Sequence, residues 1–332
     1  RFVTRSVDLV SVDNDAPTVT VGTPSQTTAA GIITVTTTVA DADSDVTSLI
    51  VEHSTDGSSW TSSTLETVTD TEGIDGITTS TGNIADIDTD DDTSVDMTIQ
   101  WDASVLGSVD DLEVWLRFTP NDGTVNGTGV SSTSFGVDVK DPTQPGPLTL
   151  EETSITSFVY GYGSTTTDNN FSEYKIFYKE GSSGVEITDI AVTSSTISDL
   201  GSITFAGTTT STATGFSANT QYVFNIWAYD TWGNSSSGST ELAFYILAST
   251  PSSVTATVNS NTQITIAYSG DATNYYIENT TASTNSGWTA ASSYAFTGLT
   301  CNTEYTFRVK GRNGDSVATD WTSSVSATTS AC

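Results

Sequence analysis

Acidic side chains carry most of the chemistry this sequence offers. They gather in three clusters: Asp13 with Asp15; Asp41, Asp43 and Asp45; and a run holding Asp86, Asp88, Asp90, Asp91, Asp92 and Asp96. Calcium takes about six to eight oxygen ligands from flexible loops, and D-x-D-x-D spacing in a turn lets alternate carboxylates converge on one ion. Calcium is therefore the expected cofactor, at Asp13, Asp15, Asp41, Asp43, Asp45, Asp88, Asp90 and Asp92. The sharpest version is one site shared by Asp13 or Asp15 with the Asp41 to Asp45 turn. The bland reading is that these are solvated acidic loops which keep the chain soluble. The ADIDTDDDT run lacks the glycine and the closing glutamate of an EF-hand loop, so that particular motif is absent.

Other reactive groups are sparse. The single histidine, His53, falls on an expected strand, and no G-x-S-x-G elbow stands anywhere to supply the nucleophile of a Ser-His-Asp arrangement. Phosphate-cradling glycine loops, dinucleotide fingerprints and Cys/His metal spacings are likewise missing. Carboxylate pairs abound in loops, but a glycosidase needs a cleft in which one acid has a raised pKa. An enzyme is not expected.

The net charge of −31 has a sign and a place. Residues 1–140 hold 24 acidic against 4 basic side chains, residues 141–248 hold 11 against 2, and residues 249–332 hold 5 against 3. A field of this sign repels phosphate, so nucleic acid is excluded as a partner and divalent cations are favoured. Only 15% of the residues are charged, and so polar a chain would read as disordered but for 7 Trp, 12 Tyr and 12 Phe recurring inside alternating runs. No run of 18 apolar residues occurs, so this segment is not expected to insert into a membrane. The chain opens on Arg1 without Met, which reads as a processed or partial product.

The elements that must position these groups are strands. The clearest is Asn219 to Asn234, NTQYVFNIWAYDTWGN, in which Tyr222, Phe224, Ile226 and Ala228 share one face and Val223, Asn225, Trp227 and Tyr229 the other. The phrase returns about eighty residues later as NTEYTFRVKGRNG, with Tyr305, Phe307 and Val309 matching Tyr222, Phe224 and Ile226. An apolar residue, Phe216 or Leu299, stands six positions before each tyrosine. At these residues the chain resembles the fibronectin type III family and its GL-x-x-x-T-x-Y-x-F-x-V strand. That resemblance implies a β-sandwich in which the tyrosine ring closes one end and its hydroxyl bonds upstream backbone. It covers two copies, residues 141–248 and 249–332, separated from what precedes by the stiff linker DPTQPGP.

Residues 16–140 read as an earlier, acidic sandwich. Its TDGSSW turn at residues 55–60 resembles hairpins of bacterial surface immunoglobulin-like repeats, and the whole resembles an immunoglobulin-like, loosely cadherin-like module. Residues 1–15 contain a further strand, because VDLVSVDNDAPT parallels FGVDVKDPTQPG, where the first sandwich ends. An unpaired strand exposes backbone donors and acceptors. Phe2, Val3, Val7, Leu9, Val10 and Val12 would then contact a neighbouring subunit by strand donation, or the segment folds back on its own first domain. The fold class is thus all-β: three tandem antiparallel β-sandwich domains with an extra N-terminal strand.

Several smaller expectations follow. Tyr160, Tyr162, Tyr174, Phe177, Tyr178, Trp227, Tyr229 and Trp232 form either a sugar-stacking strip or ordinary core. Trp288 and Trp321 read as core or edge aromatics. Cys301 and Cys332 either form a disulfide tying the last strand to the tyrosine strand, which implies an oxidising extracellular setting, or remain free thiols. Asn126, Asn170, Asn234 and Asn279 head glycosylation sequons near expected turns. Together these readings imply a non-catalytic, extracellular, cell-surface structural protein. Its partner would be itself, as a subunit of a filament, pilus-like appendage or surface layer. The alternatives are a module binding surface glycans or a host, or the accessory region of a secreted enzyme.

Overall fold

The computed structural model describes residues 14–42, 46, 48–70, 78–87 and 94–332. The described chain is built of antiparallel strands and falls into two compact units. The first comprises the described residues up to Pro142 together with two later stretches, Asp168–Phe171 and Tyr229–Ser235.

Two sheets make up the first unit. One runs β1 (Thr18–Val21), β3 (Ile32–Ala40), β9 (Ser94–Asp102), β6 (Leu65–Asp70), with β2 (Ser25–Gln26) also on β3. The other runs β11 (Val130–Ser131), β10 (Leu112–Asn121), β4 (Ser48–Ser54), β8 (Asn83–Ala85), β7 (Thr78–Ser80), with β12 (Phe135–Val137) on β10 and β5 (Thr61–Ser62) on β4. Strand alternation decides what each sheet buries. Ile33, Val35 and Val39 of β3 and Val95, Met97, Ile99 and Trp101 of β9 turn inward against Leu49 and Val51 of β4 and Val114, Leu116 and Phe118 of β10. Each such side chain removed from water contributes about 1.5–3 kcal/mol. The short strands β5 to β8 lie in Thr-, Ser- and Asp-rich sequence with no alternating apolar run, which is why the sequence does not announce them.

The second unit holds two sandwiches of one topology. Strands β13 (Thr149–Thr153), β14 (Ser157–Gly161) and β17 (Thr210–Thr214) form a sheet opposite β16 (Ile190–Val192), β15 (Phe171–Glu180), β18 (Gln221–Asp230) and β19 (Leu242–Tyr245). The order recurs as β20 (Ser252–Val258), β21 (Gln263–Ser269) and β24 (Ser293–Thr297) opposite β23 (Thr284–Thr289), β22 (Asn274–Asn279), β25 (Glu304–Arg312) and β26 (Val325–Thr328). The internal repeat is therefore a repeat of architecture. In each copy the tyrosine hydroxyl accepts from an upstream backbone amide, Tyr222 from Ser217 at 3.3 Å and Tyr305 from Thr300 at 2.9 Å. The chain enters each strand through an asparagine in the left-handed region, Asn219 at φ 49° and Asn302 at φ 48°, where asparagine is tolerated better than most residues.

Both faces of β18 are covered: Val223, Asn225 and Trp227 are buried, as are Tyr222, Phe224 and Ile226. The indole of Trp227 packs on Phe177 with ring centroids 5.3 Å apart and lies so close to Gly238 that a Cβ there would overlap it. The glycine lets the chain after β18 fold over what would otherwise be an open sheet face.

Candidate carboxylate site

Three carboxylates of the first unit converge. Asp110 lies in the turn entering β10, Asp138 follows β12, and Asp168 belongs to the first of the two later stretches. Their ligand oxygens all lie within 4.8 Å of one another. Asp138 is fully buried, its Oδ2 accepting from Asn170 Nδ2 at 2.9 Å and its Oδ1 from the Lys140 amide at 3.0 Å. Asp230 adds a fourth charge acting on Asp138 and Asp168, while its two carboxylate oxygens accept from the Trp232 and Asn234 amides and from Asn234 Nδ2.

Electrostatically the site is short of cations. Among the described residues, Lys140 alone of the basic side chains pairs with it, donating to Asp110 Oδ2 at 2.9 Å, and that partnership raises the lysine pKa. Burial, with the charges of Asp138, Asp110 and Asp230, pushes Asp168 up to about 6 although the Asn170 amide stabilises its ionised form. Burial likewise raises Asp138, opposed by the hydrogen bond from Asn170. Asp168 Oδ2 is buried without a hydrogen-bond partner. An orphaned buried carboxylate oxygen beside two like charges is what a bound divalent cation would satisfy, so Asp110, Asp138 and Asp168 fit as ligands.

The sequence pointed to other aspartates. Asp15 is exposed and Asp41 is buried in the turn after β3, and neither joins this group. Asp13, Asp43, Asp45, Asp88, Asp90 and Asp92 lie outside the described residues, as do Phe2, Val3, Val7, Leu9, Val10 and Val12 of the expected donor strand. Asp110, Asp138 and Asp168 are isolated in sequence, so no spacing rule brings them together; only the folded turns do.

The remaining expected positions are placed as follows. Cys301 and Cys332 form a disulfide with Cα atoms 5.3 Å apart. Asn126 is exposed and its Oδ1 accepts from Asn121 Nδ2 at 2.7 Å. Asn234 and Asn279 each stand beside a turn, as expected, but are buried, 5% and 0% exposed. The Asn234 carboxamide bonds Asp230, and Asn279 Oδ1 accepts from the Thr281 and Ala282 amides. A glycan would have no path out from either. Asn170 is committed to Asp138. Of the eight aromatics read as either a sugar-stacking strip or ordinary core, Tyr160, Tyr174, Phe177 and Trp227 are core residues, and Tyr162, Tyr178, Tyr229 and Trp232 are half-buried. His53 is 7% exposed, stacked on Trp101 with centroids 4.9 Å apart and paired with Ser63 Oγ at 3.3 Å, a packing role rather than a reactive one.

Fold and site together define a protein of tandem antiparallel β-sandwiches, the last two with fibronectin type III-like topology and tyrosine corners. A scan against protein-family models gave no match, and neither did a search of curated proteins. Among solved structures the chain is similar to the crystal structure of chicken CNTN1 FN1-FN3 domains, at 15% identity and a TM-score of 0.26, covering 95% of this chain and 99% of that one. No helix among the described residues is long and apolar enough to cross a membrane.

Proposed function

We propose that this chain is a non-catalytic extracellular structural protein whose modules are joined to resist bending, a subunit of a surface filament, pilus-like appendage or surface layer. The observation that carries the reading is the joint inside the second unit. Asn219 Nδ2 donates to the Asp271 carbonyl at 2.6 Å, while Asn219 Oδ1 accepts from Thr273 Oγ1 and the Gly314 amide, each at 3.1 Å. Asn313 Nδ2 donates to the Tyr245 and Ile246 carbonyls at 3.2 and 3.3 Å. Asp315 and Asp271 accept from the amides of Tyr245 and Ser249. A pair of modules tied by this many directional bonds pivots far less than one joined by a flexible linker. The disulfide supports the extracellular setting.

Calcium belongs to this reading as a brace. Asp110, Asp138 and Asp168 would hold the ion, with further oxygens from backbone or water, and it would neutralise their repulsion and tie together turns distant in sequence. The link between subunits is read as backbone pairing through Phe2 to Val12.

Electron microscopy of the purified chain in calcium is the test. Ordered polymers are expected, lost on deletion of residues 1–13 and bent more sharply when Asn219→Gly and Asn313→Ala are combined. A chain that stays a single particle at every concentration overturns the structural reading; assembly unchanged by the deletion rejects strand donation.

A further inference from the structure

The third sandwich carries a face unlike the rest of the chain. Along β22 and β25 the inward positions are Tyr275, Ile277, Tyr305, Phe307 and Val309, all buried, so Tyr276, Glu278, Arg308, Lys310 and Arg312 alternate onto the opposite face. The pairing registers Tyr276 against Lys310, Glu278 against Arg308 and Asn274 against Arg312, with Trp288 of β23 beside Tyr276. The result is an interleaved stack. Arg308 lies 4.3 Å from the Trp321 ring centroid, Lys310 Nζ 4.6 Å from the same ring and 5.4 Å from Tyr276, and Arg312 4.6 Å from Trp288. The three aromatic side chains are half-buried rather than core.

Three of the nine basic residues of a chain of net charge −31 are gathered here. Glu278 neutralises one of them, accepting from Arg308 Nε at 2.6 Å. Arg312 donates to the neutral carboxamide of Asn274, and Lys310 has no ion-pair partner among the described residues. Two positive charges are thus left uncompensated on a plane of Trp and Tyr. Stacking holds their side chains in place beforehand, which lowers the ordering cost of contact, and Trp, Tyr and Arg are the residues that dominate interface energetics.

We infer that this face is a docking surface for the acidic first domain of a second copy of the chain. Charge decides the occupant: residues 15–140 carry 22 acidic against 2 basic side chains, whereas the third sandwich carries 5 against 3. Unlike surfaces meeting head to tail give an open, propagating contact rather than a closed pair. The inference rests on the self-assembly reading above but not on strand donation, since it uses no residue before Asp15.

The experiment takes the full chain, and in parallel the chain lacking residues 1–13, through sedimentation velocity across a concentration series at about 20 and 500 mM salt, a range over which exposed charge attraction is screened out. Association at low salt is expected in both, weakened about tenfold or more by Lys310→Glu with Arg312→Glu, as for removal of interfacial charges. Lys310→Gln, with an unchanged melting curve, is the milder variant should the double one unfold. Carbodiimide coupling of mixed light and heavy isotope chains should join Lys310 to carboxylates within residues 15–138 of the other isotope. Association lost with residues 1–13 but indifferent to Lys310 keeps strand donation and sinks the docking face. A chain monomeric at low salt, isotope-pure couplings only, or binding to polygalacturonate without self-association overturns it equally.

Discussion

The phenolic oxygen of Tyr305 accepts a hydrogen bond from the backbone amide of Thr300 at 2.9 Å, five residues upstream, and Tyr222 does the same for Ser217 at 3.3 Å. Both rings are 6% exposed, whereas Ser217 and Thr300 are exposed, so an amide that loses this partner can turn to water. The net worth of such a bond is about 0.5–1.5 kcal/mol. Tyr305→Phe is therefore expected to destabilise the third sandwich by that amount in denaturant unfolding, with the shorter Tyr305 bond mattering more than the Tyr222 one. An unchanged midpoint would mean that the corner is held by ring packing alone.

His53 makes the stability of the first unit sensitive to acid. Burial against Trp101 lowers its pKa below the ordinary value of about 6.5. The unfolded chain then takes up a proton at a higher pH than the folded one, so stability is full above about 6.5 and falls as pH drops below it. His53 is the sole histidine, and its ring proton resonance reads the titration without overlap. A midpoint at or above the ordinary value would contradict the burial argument.

Strand identity was legible wherever alternation was strong. IITVTTTV, LEVWLRFTP, QITIAY and the two tyrosine strands all announce their inward faces, because apolar residues recur every second position. It failed at β16, β17 and β23, whose sequences IAV, TSTAT and TNSGWT hold no alternating run of large apolar residues. Trp288 and Trp321 show a different limit: a pattern can put a tryptophan on a sheet but cannot say that three cations from β25 will lie across it. The carboxylate group was illegible for the same reason. Asp138 follows an ordinary exit strand, and only the fold brings Asp110 and Asp168 to it.

The disulfide closes a span of 31 residues around the last strands of the third sandwich. Restricting the unfolded chain over a loop of that size stabilises by about 2–4 kcal/mol. Replacing both partners, Cys301→Ser with Cys332→Ser, should lower the third sandwich by this much while leaving the resistance of His53 to exchange in the first unit unaltered. Equal loss in both units would show that they unfold together.

Asp168 lets pH test the proposed calcium brace. Its pKa, pushed up to about 6, means that the folded state holds the proton more tightly than the unfolded one. The contribution of this group is fully present below about 3.9 and is lost as pH rises through about 6. In chelator, Asp168→Asn should then raise the melting temperature above pH 6 by removing a repelled charge. In calcium the order should reverse, with the native protein gaining stability as calcium rises and the variant gaining none. Stabilisation of the variant in both conditions would show that the carboxylates hold no ion.

The joint between the last two sandwiches can be dissected one amide at a time. Asn219 sits at φ 49°, so Asn219→Gly keeps the left-handed backbone comfortable and removes only the side-chain bonds to Asp271, Thr273 and Gly314. The Gly314 amide loses its acceptor, whereas the Tyr245 amide keeps Asp315 and the Ser249 amide keeps Asp271. A net bond is worth about 1 kcal/mol, so hydrogen exchange at Gly314 should quicken about fivefold or more. If the side chains brace the joint as one unit, exchange at Tyr245 and Ser249 follows, because the bonds share the same two surfaces and open together. If each bond stands alone, only Gly314 responds, and the joint is a set of separate contacts with no collective stiffness to transmit load from one module to the next.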